Sequence, residues 1–297
     1  MRYGDPRSAF AEHLMLRGLP VENGILADGE IHRFHVNGDR PGSRNGWYVL
    51  YSGHISAGAF GSWRTGTWAT WCSRNTDEMS QGERWEYKKR LQLIHLQRQE
   101  SVRQKQHEAS LKAEQLWHKA KPASQTHPYL QRKNIGPQHL RQLGGRLLVP
   151  LVDPQGRLWN LQLIWPDGDK RFLKGGRVKE CFCVIPGSDV EAVLVCEGFA
   201  TGASLQQVTG HKVLCAMNAG NLQSVAYTAG FISEGRVKLC ADNDHQTAGN
   251  PGIFKARLAA RATGADLTWP PFCGESCVCT DFNDAFNCSH AAKWGGV

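Results

Sequence analysis

The chain has 297 residues, 41% of them hydrophobic and 21% charged, which suits two or three modest domains rather than one core. No apolar run approaches the ~18 residues of a membrane span, and MRYGDPRSAFAEHL lacks the apolar centre of a signal peptide, so no membrane partner is expected and the chain reads as cytoplasmic. A net charge of +8 favours polyanionic partners without naming one.

Residues 1–75 read as a small α+β domain. SAFAEHLMLRGL has helical spacing, and GEIHRFHV, NGWYVLYS and GAFGSWRTGTWATW have strand character between Gly-rich turns. WYVLY is too continuously apolar for a solvent-facing strand. Trp47, Trp63, Trp68 and Trp71 lie among Arg and Gly; they either stack single-stranded bases or fill the core, and core is the favoured reading. Residues 76–122 are rich in Lys, Arg, Gln and Glu, with sparse apolar positions, and read as a solvated helical connector.

Residues 123–190 open with the helix breaker KPASQTHPYLQRKNIGP. LLVPLV and LWNLQLIW read as antiparallel strands around a DPQG turn, KRFL as a third strand and CFCVI as a fourth. From Glu191 the period changes. EAVLVCEG, HKVLCAMN, GRVKLCADND and ADLTWPPF are strands separated by helices, the order of a parallel α/β sheet covered on both faces. Cys196, Cys215 and Cys240 sit inside these apolar runs as buried thiols.

In an open parallel sheet, ligands bind beyond the carboxyl ends of the strands. Three strands deliver Glu197-Gly198, Asn218-Ala219-Gly220 and Asp242-Asn243-Asp244 to that edge. Asp242 and Asp244 are two apart in extended chain and share a face. Carboxylates gathered there repel one another, and a divalent cation with oxygen ligands removes that cost. An Asp-x-Asp alone would read as a polar turn; a Glu-Gly on a second parallel strand favours the metal reading. Gly198 leaves room for backbone or phosphate.

Glu197-Gly198 after VLVC, followed by ATGASL, with Asp242-x-Asp244 after VKLC, resembles the Toprim domain. The upstream GRLWNLQLIWPDGDKRFLKGGRVKECFCVI resembles the basic subdomain of DnaG-type primases, HPYLQRKNI the segment before it, and TDFNDAF the DFND segment of plasmid and phage primases. DGEIHRFHVNGDRPGSRNGWYVLYSG resembles the leading region of those mobile-element enzymes. The resemblance implies a Toprim domain over 191–297, preceded by a basic primase-core subdomain, and a DNA primase making short RNA primers by nucleotidyl transfer. It implies Mg²⁺ or Mn²⁺ held by Glu197, Asp242 and Asp244, with Gly198, Asn218 and Gly220 supporting. Asp281, Asn283 and Asp284 belong either to a supporting shell or to a helix cap. Arg157, Lys170, Arg171, Lys174, Arg177 and Lys179 are expected to contact template and nucleoside triphosphates; the alternative is a solvated basic hairpin.

The resemblance implies single-stranded DNA as the template, and a replicative helicase is an expected partner because EGFATGASL lacks the Lys of a phosphate-binding loop. Zinc is not expected. The amino-terminal zinc module of longer primases has no counterpart, since only Cys72 precedes Cys181, and Cys273, Cys277, Cys279, Cys288 and His290 have poor zinc spacing. A Toprim nuclease and a non-catalytic single-stranded-DNA-binding replication protein are the alternatives.

Overall fold

The computed structural model describes residues 5–233, 236–270 and 278–288. The chain forms two compact units, 1–103 and 104–297.

In the first unit, helix α1 (Pro6–Leu16) starts at Asp5, whose carboxylate accepts from Arg7 N, with Pro6 in the first turn, where its missing N–H costs nothing. Strands β1 (His32–Phe34), β2 (Gly46–Tyr51), β3 (Ala57–Ser62) and β4 (Trp68–Cys72) form one antiparallel sheet in that order. All of β3 and all but the last residue of β2 are buried, because both faces are covered. Phe10 and Leu14 of α1 pack on Tyr48, Leu50 and Phe60. Leu91 and Ile94, from helix α2 (Gln81–Lys119), pack on Trp47, Val49 and Ala59. The expected solvated connector is therefore one 39-residue helix whose first half closes a sheet face. Sparse apolar positions suffice for this, because the stripe is needed only where the sheet lies. The tryptophans divide. Trp47 is buried and Trp71 packs against Phe10, but Trp63 and Trp68 are 41% and 61% exposed, so the core reading fails for those two.

The second unit takes the rest of α2, with Ala113 fully buried and Ser110 donating to Leu158 O. Then follow β5 (Lys121–Pro122), α3 (Pro128–Lys133), β6 (Arg141–Leu143), β7 (Arg146–Val152), β8 (Leu158–Ile164) and β9 (Lys170–Phe172). These five strands pair in sequence order as an antiparallel sheet. The DPQG turn forms as expected: Asp153 accepts from Gln155 N and Arg157 N, and Gly156 takes a positive φ of 81°, which glycine adopts without strain.

The last stretch runs β10 (Cys183–Ile185), β11 (Ser188–Cys196), α4 (Phe199–Thr209), β12 (His211–Cys215), α5 (Leu222–Ile232), β13 (Arg236–Cys240), α6 (Pro251–Thr263), β14 (Asp266–Thr268) and α7 (Phe282–Phe286). The sheet order is β10-β12-β11-β13-β14, parallel except for β10. Here the expectation for CFCVI is corrected. Phe182 bridges to Val152 of the antiparallel sheet, but Cys183–Ile185 pairs with β12. Cys183 and Ile185 are buried, and burial in that edge position decides the pairing.

Along β11 the side chains alternate. Val193 and Val195 join α5 and α6, while Leu194 and Cys196 join α4 and α7. Cys183, Cys215, Cys196 and Cys240 are register neighbours across four strands. All four are buried as thiols, and burial pushes Cys240 up to about 12, so they behave as core rather than as nucleophiles. Cys273, Cys277 and His290 lie outside the described residues.

Candidate active site

The carboxyl ends of β11, β12 and β13 lie side by side. Cys196 is in register with both Cys215 and Cys240, so the residues that follow each strand emerge at one edge. Glu197 follows β11, and Gly198 caps α4. A Cβ at Gly198 would meet only Thr201 Oγ1, at 3.7 Å, so this position leaves space. At the end of β12, Met217 N donates to Glu197 O at 2.7 Å, and Met217 holds a positive φ of 68°, a costly conformation for a non-glycine residue. Ala219 N donates to the Glu197 carboxylate. Gly220 sits beneath Asn218, where a Cβ would come within 3.2 Å of Asn218 Oδ1.

The loop after β13 is held from its middle residue. Asn243 is 4% exposed, receives Asn250 Nδ2 at 2.8 Å and donates to Pro270 O at 3.0 Å. Asp242 and Asp244, on either side, are only partly buried. Asp244 Oδ2 accepts from Gly252 N at 3.0 Å, in the first turn of α6. Gly252 is required there, because a Cβ would overlap Asp242 O. Asn250 caps α6 with a left-handed φ of 42°, which asparagine tolerates.

Asp281 caps α7 and accepts from Asp284 N at 2.8 Å; Thr201 of α4 also hydrogen-bonds it. Asp284 Oδ1 accepts from Lys133 Nζ at 3.1 Å. Asn283 is a tie rather than a ligand. It is 1% exposed, and its Nδ2 donates to Lys133 O at 2.7 Å and Ser204 Oγ at 2.8 Å.

The electrostatics follow from this crowding. Asp242 is pushed up to about 8, by burial first and then by Glu197, Asp281, Asp244 and Asp284. Burial likewise raises Glu197, with Asp244 adding to it and Lys255 and Lys170 opposing. Asp281 is raised by burial and by Asp284, against its hydrogen bonds. Lys170 is the expected basic residue that meets the acids. Burial and neighbouring Lys133 lower its pKa, while Asp281, Asp242 and Asp284 resist. Burial also works against the Lys133 charge, but Asp284, by hydrogen bond and charge, and Asp281 outweigh it and raise the pKa.

Of the other expected basic residues, three have contacts elsewhere and two are exposed. Arg171 pairs with Asp169 at 2.7 Å. Arg177 pairs with Glu180 at 2.6 Å and lies over Trp159. Arg157 lies over Trp159 and contacts His107 at 3.0 Å. Lys174 and Lys179 are exposed. Three residues escaped the sequence reading: Lys133, Thr201 and Asn221. Buried Asn221 donates to Ala216 O, Cys181 O and Val178 O and accepts from Glu180 N, pinning the basic segment to the strand ends.

A hard divalent cation suits this donor set. Asp242 Oδ1 is buried with no hydrogen-bond partner, and every nearby acid is a carboxylate oxygen donor. Among the described residues no group of three or more His, Cys, Asp or Glu side chains is placed to hold a metal ion as it stands.

Residues 192–291 match the model of the Toprim domain family. The chain as a whole is similar to a protein named DNA primase TraC from Escherichia coli, with 32% identity over 285 residues, 90% of this chain and 26% of that protein. A second Escherichia coli DNA primase TraC is 30% identical over 284 residues, 90% of this chain and 20% of that protein. The chain thus spans about a quarter or less of the length of these relatives. Among solved structures, the primase fragment of the bacteriophage T7 primase-helicase protein has a TM-score of 0.42 and 10% identity, over 58% of this chain and 72% of that one.

Proposed function

We propose that this chain is a primase catalytic core, joining nucleotides into short primers on a single-stranded DNA template. The observation that carries this reading is the convergence of Glu197, Asp242 and Asp244 beyond the parallel strands, with Asp242 Oδ1 buried and unpaired. Likeness to proteins named DNA primase over 90% of the chain supports it.

Glu197, Asp242 and Asp244 would hold Mg²⁺ or Mn²⁺. When bound, such a cation polarises the reacting phosphate and lowers the pKa of the attacking hydroxyl. The protein's own groups do the rest. At neutral pH without a cation, the Asp242 carboxyl retains its proton, because its pKa is about 8, and it must release that proton to become a ligand. Lys170 faces the same acids and is the cation best situated to meet triphosphate oxygens. Lys133 and Thr201 fix Asp284 and Asp281, so the acids are oriented before substrate arrives. Arg157, Arg171, Lys174, Arg177 and Lys179 supply template backbone contacts whose strength falls with salt. A replicative helicase is the protein partner this role implies.

The test is synthesis on mixed single-stranded templates with labelled ribo- and deoxynucleotides and Mg²⁺ or Mn²⁺. Short labelled products are expected. Cleaved template without products would point instead to a nuclease.

A further inference from the structure

The first unit carries a second aromatic and basic cluster that the chemistry above does not use. Arg33, Trp47, Gly61 and Trp68 are register partners across β1, β2, β3 and β4, so they share one sheet face. Trp63 lies against Trp47, with ring centroids 5.7 Å apart. Gly61 is obligatory in this row, since a Cβ would overlap Thr67 O. Gly61 is itself buried, so the exposed part of this cluster is Trp63 and Trp68. From α2, Arg98 brings its guanidinium over Trp47 at 4.7 Å, Trp63 at 4.9 Å and Trp68 at 6.0 Å.

Arg98 therefore already fills the cation position of this aromatic group. A second cation would meet its charge, so a cationic ligand is disfavoured. Trp63 and Trp68 nevertheless remain 41% and 61% exposed, each with ring surface that Arg98 does not cover. The surroundings are only mildly cationic, with eight arginines and six carboxylates among residues 1–75. Residues 1–75 contain no lysine; their permanent cations are arginines, whose planar forks suit phosphate. Arg33, in the same row, also lines an open cavity of about 680 Å³ together with Arg44 and His35. Neither arginine is ion-paired among the described residues, and Glu22 is the one carboxylate among the described lining residues. Exposed flat rings over Arg98, with arginines farther along the same sheet, match the requirements of a single strand: faces for the bases and forks for the backbone.

We infer that Trp63 and Trp68, backed by Arg98, form a stacking surface for single-stranded DNA in the first unit, which Arg33, across the sheet in the same row, and its cavity neighbour Arg44 extend. This deepens the primase reading by giving the template a contact outside the catalytic unit.

The experiment is fluorescence anisotropy of the full chain with a labelled oligothymidine, in EDTA and without nucleotides, so that synthesis plays no part. Trp63→Ala/Trp68→Ala is expected to weaken binding at least tenfold, Trp63→Phe/Trp68→Phe to stay within about threefold, and a duplex of the same length to bind less well. Arg33→Gln/Arg44→Gln should lower the slope of log affinity against log salt by about 1.4, at roughly 0.7 per single-strand phosphate contact. If the folded alanine pair, checked by circular dichroism, binds within twofold of wild type, or the duplex binds equally well, the surface is wrong. If the alanine pair loses binding while the wild type makes no primers, the surface stands and the primase reading falls.

Discussion

An aspartate pushed up to about 8 by burial and by its acidic neighbours holds its proton across the neutral range, and two measurable consequences follow. The unfolded chain ionises this group near its ordinary 3.8 and the folded chain only near 8, so between those values the unfolded state binds fewer protons and stability falls as pH rises. Asp242→Asn should therefore stabilise the metal-free protein most at pH 8 and above. The gain should shrink toward pH 4, with a slope of at most about 1.4 kcal/mol per pH unit; thermal melts across that range in EDTA would measure it. Cation affinity should move the other way and strengthen up to about pH 8, as the carboxylate becomes available. Titrating Mn²⁺ by calorimetry at several pH values checks this, and a flat profile would contradict it. Lys133 offers a third test. Lys133→Met frees Asp284 and should cost on the order of ten- to a hundredfold in activity, whereas Lys133→Arg should recover much of it, because a charged donor to Asp284 is what the site uses. The strand-end acids were legible in the sequence because a parallel sheet gathers whatever follows its strands. Lys133, Thr201 and Asn221 were not, because their partners lie far off in sequence and only the fold joins them; Lys133 and Asp284 are 151 residues apart.

The elements carry the site through close approaches that side chains would block. Gly202 lies inside α4, where glycine-to-alanine ordinarily stabilises a helix by about 1 kcal/mol. Here a Cβ would overlap Cys215 Sγ and press on Cys196 Sγ and Ile185, inside a core with little slack. The sign should reverse: Gly202→Ala is expected to destabilise by about 1–3 kcal/mol, read from urea denaturation. Gly252→Ala has a different signature. Its Cβ would strike Asp242 O, displacing the α6 terminus that donates to Asp244, so activity should fall further than stability does. The alternation of strand and helix after residue 190 could be read because each strand is a run of apolar residues covered on both faces. The three-residue β10 could not be, since so short a segment has no period and its partner is chosen by burial. The two faces of the first sheet were equally hidden, because the apolar contribution of α2 to closing one of them is just Leu91 and Ile94.

Across the whole molecule the same economy recurs. The net charge of +8 favours a polyanion, while the acids that would hold a cation are confined to the second unit. The sequence indicated both chemistries. It did not reveal that the tryptophans of the first unit divide between core and surface, because alternation across a sheet assigns faces only once it is known which face a helix covers. The proposed roles of Glu197 and Asp242 in primer synthesis are tested most directly by running wild type beside Glu197→Ala and Asp242→Ala on single-stranded template with Mg²⁺ or Mn²⁺. Short products are expected from wild type, their loss in both variants, and template affinity retained in all three. Products from either variant at wild-type yield would contradict those roles.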